Sequence, residues 1–234
     1  MTVIADGRRP SATTKTVALS SKVYLPQADS YLLIDTMLRR RPPRGLRVAD
    51  LCTGSGVVAL AAAAAGADTV HAFDMSPSAV AYARAHAAVA GAQVDFFQAS
   101  WTHAASTGPY DLVVCNPPYV PQPRDGADSP DLSVPALAVD AGHEGRQILD
   151  PLCAAAPSLL TDGGLLLVVQ SEFADIGATV RLLTEQHLVA NVLAQRYIPF
   201  GPVLAERAQW LEETGRLTAG RRIERLAVIA ARKI

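Results

Sequence analysis

The chain has 234 residues, half of them apolar and 18% charged, with 21 basic against 22 acidic side chains and a formal net charge of −1. A chain of this size can bury roughly 70–75% of its unfolded surface around one core, which excludes wholesale disorder. The balanced charge excludes a generic polyanion coat, though not a local basic patch.

In chain order, residues 1–22 are polar and read as a loose lead-in. Residues 39–47 (RRRPPRGLR) carry five arginines, which fit either a solvated linker or a rim that meets an anionic partner. Residues 47–51 (RVADL) read as a short strand ending at a glycine-containing turn, and 57–65 as a helix. A second strand spans 69–73, and a helix spans 77–90 with its proline in the first turn, where the missing N–H costs nothing. Strands at 94–97 and 112–115 precede a long proline-rich loop and a helix at 147–160. Residues 165–169 (LLLVV) read as a buried strand entered through Gly163 and Gly164. A helix at 176–186 comes next, and strands at 189–198 and 226–230 flank a polar, helix-prone segment at 204–215.

Alternating strands and helices predict an α/β fold with a doubly wound, mostly parallel seven-stranded sheet covered on both faces. No simple crossover helix precedes the last strand, which is therefore expected to be antiparallel. Residues 46–234 form the domain, with 1–45 as a segment ahead of it.

Three cysteines, Cys52, Cys115 and Cys153, form no C-x-x-C pair, which argues against a zinc knuckle or a disulfide framework. The first residues, MTVIADGRRP, hold no apolar signal segment, and the longest apolar stretch is about half a bilayer span. The expectation is a soluble cytoplasmic protein with no membrane partner and no metal site. His71 and His86 read as structural, and Cys115 as a small packed hydrophobe. His143 with Glu144, and the arginines Arg216, Arg221, Arg222 and Arg225, fit either a structural or a substrate-facing role.

Two motifs carry chemistry. The first, DLCTGSG at residues 50–56, lies where a strand turns into a helix. Glycine there lets backbone approach a ligand, and the helix N-terminus offers free N–H groups. Asp74 ends the next strand, where a carboxylate can accept two hydrogen bonds from a ribose diol. Together these read as a nucleoside-cofactor site. Gly54-x-Gly56-x-x-Ala59 also satisfies the dinucleotide pattern, so the glycine motif alone leaves NAD open. Asp50 leans against it, since a carboxylate there repels a pyrophosphate and welcomes a cationic amino-acid group.

The second motif, Asn116-Pro117-Pro118-Tyr119, directly follows the fourth strand, whose carboxyl end faces the ligand crevice of such a sheet. Two prolines remove two N–H donors and stiffen a backbone that can only accept. The Asn116 side-chain oxygen and the Pro117 carbonyl can then hold both protons of an –NH₂ group, while Tyr119 packs against a planar substrate. That is positioning catalysis for a weak nitrogen nucleophile.

DLCTGSG, then FDMS, then NPPYVP resembles the class I S-adenosylmethionine-dependent methyltransferases that act on planar amino groups. Within them the chain is most similar to the HemK/PrmC-type protein glutamine N5-methyltransferases. Residues 23–33 (VYLPQADSYLL) resemble that family's V-Y-x-P-x-x-D-[ST]-x-x-L segment, 98–101 (QASW) its acidic-aromatic position, and 141–150 (AGHEGRQILD) its G-x-x-G-R segment. The resemblance implies that Asp50, Cys52, Thr53, Gly54 and Gly56 surround the methionine portion of S-adenosylmethionine, with Asp50 near its ammonium. It implies that Asp74 binds the ribose, Met75 lines the adenine, and Ser100 and Trp101 lie beside it. Asn116, bordering the cofactor, would hold the target amide with Pro117, Pro118 and Tyr119, and Asp29 would join the substrate side.

The chain departs from the family in four places. Cys52 replaces the usual first glycine, Ser100 lacks the usual carboxylate, and Ala28 stands where relatives often have glutamate. Residues 1–45 are too few for the helical N-terminal domain of the bacterial release-factor enzymes, so the chain resembles the family's short branch. The implied acceptor is a glutamine side chain in a protein such as a peptide chain release factor, and the short branch is compatible with a small accessory subunit. An amino group of a nucleic-acid base is the main alternative, less favoured because the chain has no room for a target-recognition domain. A small-molecule acceptor, an NAD oxidoreductase or a non-catalytic binding module complete the alternatives.

Overall fold

A computed structural model describes residues 23–124 and 141–234. The loose lead-in at 1–22 and part of the proline-rich loop therefore lie outside the described residues.

The described residues begin with a helix, α1 (Ala28–Arg40), that the sequence pattern did not predict. Leu32, Leu33, Thr36 and Met37 give it a buried stripe at helical spacing, and Asp29 in its first turn with Arg39 and Arg40 in its last complement the helix dipole. Then follow β1 (Arg47–Leu51), α2 (Val57–Ala64), β2 (Thr69–Asp74), α3 (Pro77–Ala90), β3 (Asp95–Gln98), α4 (Ala104–Thr107) and β4 (Tyr110–Cys115). Beyond residue 140 come α5 (Leu149–Leu159), β5 (Leu160–Ser171), α6 (Ile176–Glu185), β6 (Val189–Pro199), α7 (Pro202–Glu213) and β7 (Ile223–Arg232).

The seven strands form one sheet in the order β3-β2-β1-β4-β5-β7-β6, and β7 runs antiparallel to both of its neighbours. This bears out the expected architecture, including the reversed last strand. It also explains the polar segment before β7: an antiparallel neighbour needs no crossover, so α7 is free to pack elsewhere. β1 and β4 at the centre are buried along nearly their whole length, which is why they appear in the sequence as continuous apolar runs. β5 begins earlier than expected. Leu160 leaves helix α5 and already pairs with Tyr110, and an irregularity before Leu165 absorbs the two glycines.

α2 packs on β1 and β2, α3 on β2 and β3, and α1 against α2 and the β5–β7 end; α5 and α6 pack together and onto β5 to β7. Gly56 caps α2 with φ +81°, and a Cβ there would lie 2.9 Å from the Ala83 Cβ of α3, so only glycine lets the two helices close. His71 bonds the Tyr110 hydroxyl at 3.0 Å and His86 rests on the Tyr82 ring, so both serve packing. Among the described residues no helix is long and apolar enough to cross a membrane.

Candidate active site

The chain runs from β1 outward to β2 and from β4 outward to β5, so the order of the sheet reverses between these two neighbours. Leu51 and Cys115 are register partners, and residues 52–56 and 116–119 therefore leave the sheet side by side at its carboxyl edge. Ligands bind at this position in doubly wound sheets. A cavity of about 630 Å³ opens there, within the roughly 300–1,000 Å³ of small-molecule sites.

One end of the cavity is built by the glycine loop. Cys52 (φ +60°) and Gly54 (φ +52°) are both left-handed, and the Thr53 N–H donates to the Phe73 carbonyl, tying the loop to β2. The Gly54 N–H donates to Asp74 Oδ2 at 2.9 Å and the Ser76 N–H to Asp74 Oδ1 at 2.8 Å. Each oxygen of the Asp74 carboxylate is thus held by one N–H and keeps a further lone pair. Burial pushes its pKa up, and those two N–H bonds oppose the shift. Asp50 is fully buried: Thr53 Oγ1 (2.5 Å) and the Ala59 N–H (3.0 Å) both donate to its Oδ2. Desolvation pushes its pKa up to about 7 against those two bonds, with the Asp74 charge adding to the rise.

Met75, 58% exposed, and Trp101, buried, also line the cavity. Gly56 and Ser100 do not. Gly56 serves the helix packing described above, and the Ser100 hydroxyl accepts from the Thr102 N–H and hydroxyl to cap a short 3₁₀ turn.

The other end is built by residues 116–119 packed on α1. Asn116 Nδ2 donates to Ser30 Oγ at 3.3 Å, which turns Asn116 Oδ1 away from α1. Tyr119 and Tyr24 both donate their hydroxyls to Asp29 Oδ2, each at 3.0 Å, while the Ser30 N–H donates to Asp29 Oδ1 at 2.6 Å. Burial, and secondarily the Asp29 carboxylate, holds the Tyr119 hydroxyl far above its usual pKa, so it stays a donor. Asp29 lines the cavity but acts chiefly as the post to which Tyr119 is tied.

The motif is braced from behind. Arg207 of α7, buried, donates to the carbonyls of Val120 (2.9 Å) and Pro121 (3.1 Å). Gly145 (φ +71°) lies so close under the Tyr119 carbonyl that a Cβ would collide with it. Arg146 next to it bonds the carbonyls of Ala174 and Asp175 and pairs with Asp150. The G-x-x-G-R segment is therefore a strut for residues 116–119. Arg216, Arg221 and Arg222 pair with Glu144, Glu172 and Glu212, so these C-terminal arginines close internal ion pairs. His143 accepts into the same brace, between Arg216 and the Trp210 ring.

Sequence reasoning missed Ser30, Tyr24, Arg207 and Glu224. Glu224 left a readable signal: in Ile223-Glu224-Arg225-Leu226 a charged residue occupies the inward position of an alternating strand.

The chain matches the family described as Methyltransferase small domain over residues 25–128. It is 34% identical to a release factor glutamine methyltransferase of Xylella fastidiosa, over 89% of this chain and 72% of that protein. It is 28% identical to a putative protein N5-glutamine methyltransferase of Methanocaldococcus jannaschii, over 81% of this chain and 93% of that one. It spans 60% of the Neisseria gonorrhoeae release factor glutamine methyltransferase, at 36% identity. Among solved structures, its fold resembles that in the E. cuniculi Mtq2-Trm112 complex, described as responsible for methylation of the eRF1 translation termination factor. The TM-score is 0.61 at 23% identity, over 91% of this chain and 99% of that one.

Proposed function

The chain belongs to the release factor glutamine methyltransferase family, and on that premise we propose that it transfers a methyl group from S-adenosylmethionine to the side-chain nitrogen of a glutamine in a peptide chain release factor. The observation that carries this reading is the orientation of Asn116: Ser30 holds its amide nitrogen, leaving Oδ1 free beside the acceptor-only backbone of Pro117 and Pro118.

The residues at the opposite end fit the cofactor. Asp74 offers one free lone pair on each oxygen to a ribose diol, and Asp50 Oδ1 has no partner from Thr53 or Ala59 and suits an ammonium group. When bound, S-adenosylmethionine supplies an electrophilic methyl group. A neutral amide nitrogen is a poor nucleophile because its lone pair is conjugated with the carbonyl. Asn116 Oδ1 and the Pro117 carbonyl accept its two N–H bonds and aim the nitrogen, and the Tyr119 ring, held by Asp29, covers the amide plane. Orientation of this kind is worth up to about 7–11 kcal/mol in well-aligned systems. No general base beside residues 116–119 is required, since the proton can leave to solvent after transfer.

The test is transfer of radiolabelled methyl groups into ribosome-free cytosolic protein, total RNA and DNA. The expected result is label in a protein band at the mass of a release factor, on a glutamine, and lost with Asn116→Ala. Label in RNA or DNA alone overturns the reading. Label that appears in the release factor only after cell extract is added identifies an accessory subunit.

Asp50 makes cofactor binding pH-dependent. Its folded pKa, about 7, lies above the ordinary 3.8, so this group favours the ligand-free fold least once it is ionised. Binding of a cation runs the other way and selects the carboxylate. The dissociation constant for S-adenosylmethionine is expected to fall about fivefold from pH 6 to pH 7, following the ionised fraction. Calorimetry on Asp50→Asn should show weaker binding with that pH dependence removed.

A further inference from the structure

β7 brings into the cavity a carboxyl group that the reaction described above does not use. Glu224 points inward with Leu226, is 4% exposed, and lines the acceptor end of the cavity. Its Oε2 is buried and has no hydrogen-bond partner among the described residues.

The groups around it are already committed. Ser171, at the end of β5, bonds the carboxyl group of Glu224. Asp29 of α1 is occupied by Tyr24, Tyr119 and Ser30, and Glu172 by Arg221 (2.6 Å) and the Arg225 N–H (2.8 Å). Ile198, Phe200 and Val203, which line the same cavity, have apolar side chains that offer no donor. A buried acceptor oxygen left without a donor is costly, and a ligand that supplies an N–H recovers that cost on binding. The two protons of the target amide are already assigned to Asn116 and Pro117, so the donor for Glu224 comes from another part of the acceptor. A charged donor would have to shed its water against these apolar walls, whereas a peptide N–H sheds far less.

We propose that Glu224 is a specificity residue of the acceptor end, its Oε2 accepting a hydrogen bond from a main-chain N–H of the peptide segment that carries the target glutamine. The inference rests on the protein-glutamine reading above. Desolvation, with Asp29 and Glu172 nearby and Arg221 opposing, pushes the Glu224 pKa up to about 7, so the acceptor is expected to bind better as the carboxyl ionises.

The test is steady-state methylation of purified release factor at saturating S-adenosylmethionine, with melting temperature and cofactor affinity measured on the same samples. Glu224→Leu removes a buried carboxyl with one unsatisfied oxygen, so its melting temperature should stay level or rise. Its KM for release factor should rise at least about tenfold, the usual worth of a hydrogen bond to a charged group, with kcat within about threefold. Glu224→Gln, which keeps an acceptor oxygen, should recover part of the lost affinity. In the wild type KM should fall as pH rises from 6 to 7.5, and in Glu224→Gln that dependence should vanish.

An unchanged KM in Glu224→Leu overturns the proposal. So does a lowered melting temperature with KM unmoved, the mark of a purely structural residue. If Glu224→Leu does not fold, the Glu224→Gln profile decides: retained pH dependence overturns the proposal and lost dependence supports it. A wild type that labels RNA and not release factor overturns the protein-glutamine reading together with this one, whereas a labelled release factor with an unmoved KM overturns this one alone.

Discussion

Asn116→Ala is expected to lower turnover by about 10²–10³-fold, the range found when a single preorganised polar group is removed from a reacting centre. On the proposed reading the variant loses Oδ1, one of two acceptors for the target amide, and leaves the Pro117 carbonyl to hold it by one bond. The cofactor end should be insensitive: Asp50 is held by Thr53 and Ala59 and Asp74 by Gly54 and Ser76, and none of these bonds passes through Asn116. Stability should change little, since the Asn116 side chain makes one hydrogen bond, at 3.3 Å to Ser30. Single-turnover methylation with calorimetric cofactor titration separates the two roles. Equal losses of rate and cofactor affinity would make Asn116 structural. Ser30→Ala is the informative companion, since it frees the Asn116 amide to rotate while keeping its oxygen, and should cost turnover less than Asn116→Ala.

Asp74→Ala is expected to weaken S-adenosylmethionine binding by about 1.5–3 kcal/mol, or about 10–150-fold. Two effects combine there. The diol loses its carboxylate, and the N–H groups of Gly54 and Ser76 lose the acceptor that holds the glycine loop in place. Asp74→Asn helps to separate them, since its one oxygen can retain one of these N–H bonds while its amide nitrogen cannot accept the other. Affinity should fall in both variants and further in alanine, with kcat at saturating cofactor much less affected. An unchanged dissociation constant in Asp74→Ala would remove the ribose assignment.

The position of these residues was partly readable in advance. β1 and β4 are buried on both faces, so their apolar runs are legible as strands, and the second motif directly follows one of them, which puts it at the carboxyl edge of such a sheet. The helix α3 was equally legible from Pro77 at its start and alanine spacing along it. Helix α1 was not, because its apolar buried stripe is short, Leu32, Leu33 and Met37, and is interrupted by the buried polar Asp29, Ser30 and Thr36. Motif membership also did not separate ligand-facing residues from packing ones: Gly56 is required by Ala83 of α3, and Ser100 by its own turn.

What the sequence by itself determined is local: where most strands and helices form, which turns need glycine, and which short run leaves a backbone that can only accept. These follow from burial patterns and backbone sterics that act within a few residues. Tertiary structure alone decided that β7 lies between β5 and β6, that Ser30 bonds Asn116 across 86 residues of chain and Asp29 anchors Tyr119 across 90, and that Glu224 lines the cavity with its Oε2 unpartnered among the described residues. Such pairings have no local signature, because a hydrogen bond between distant segments depends on the packing of the whole sheet rather than on the residues beside either partner.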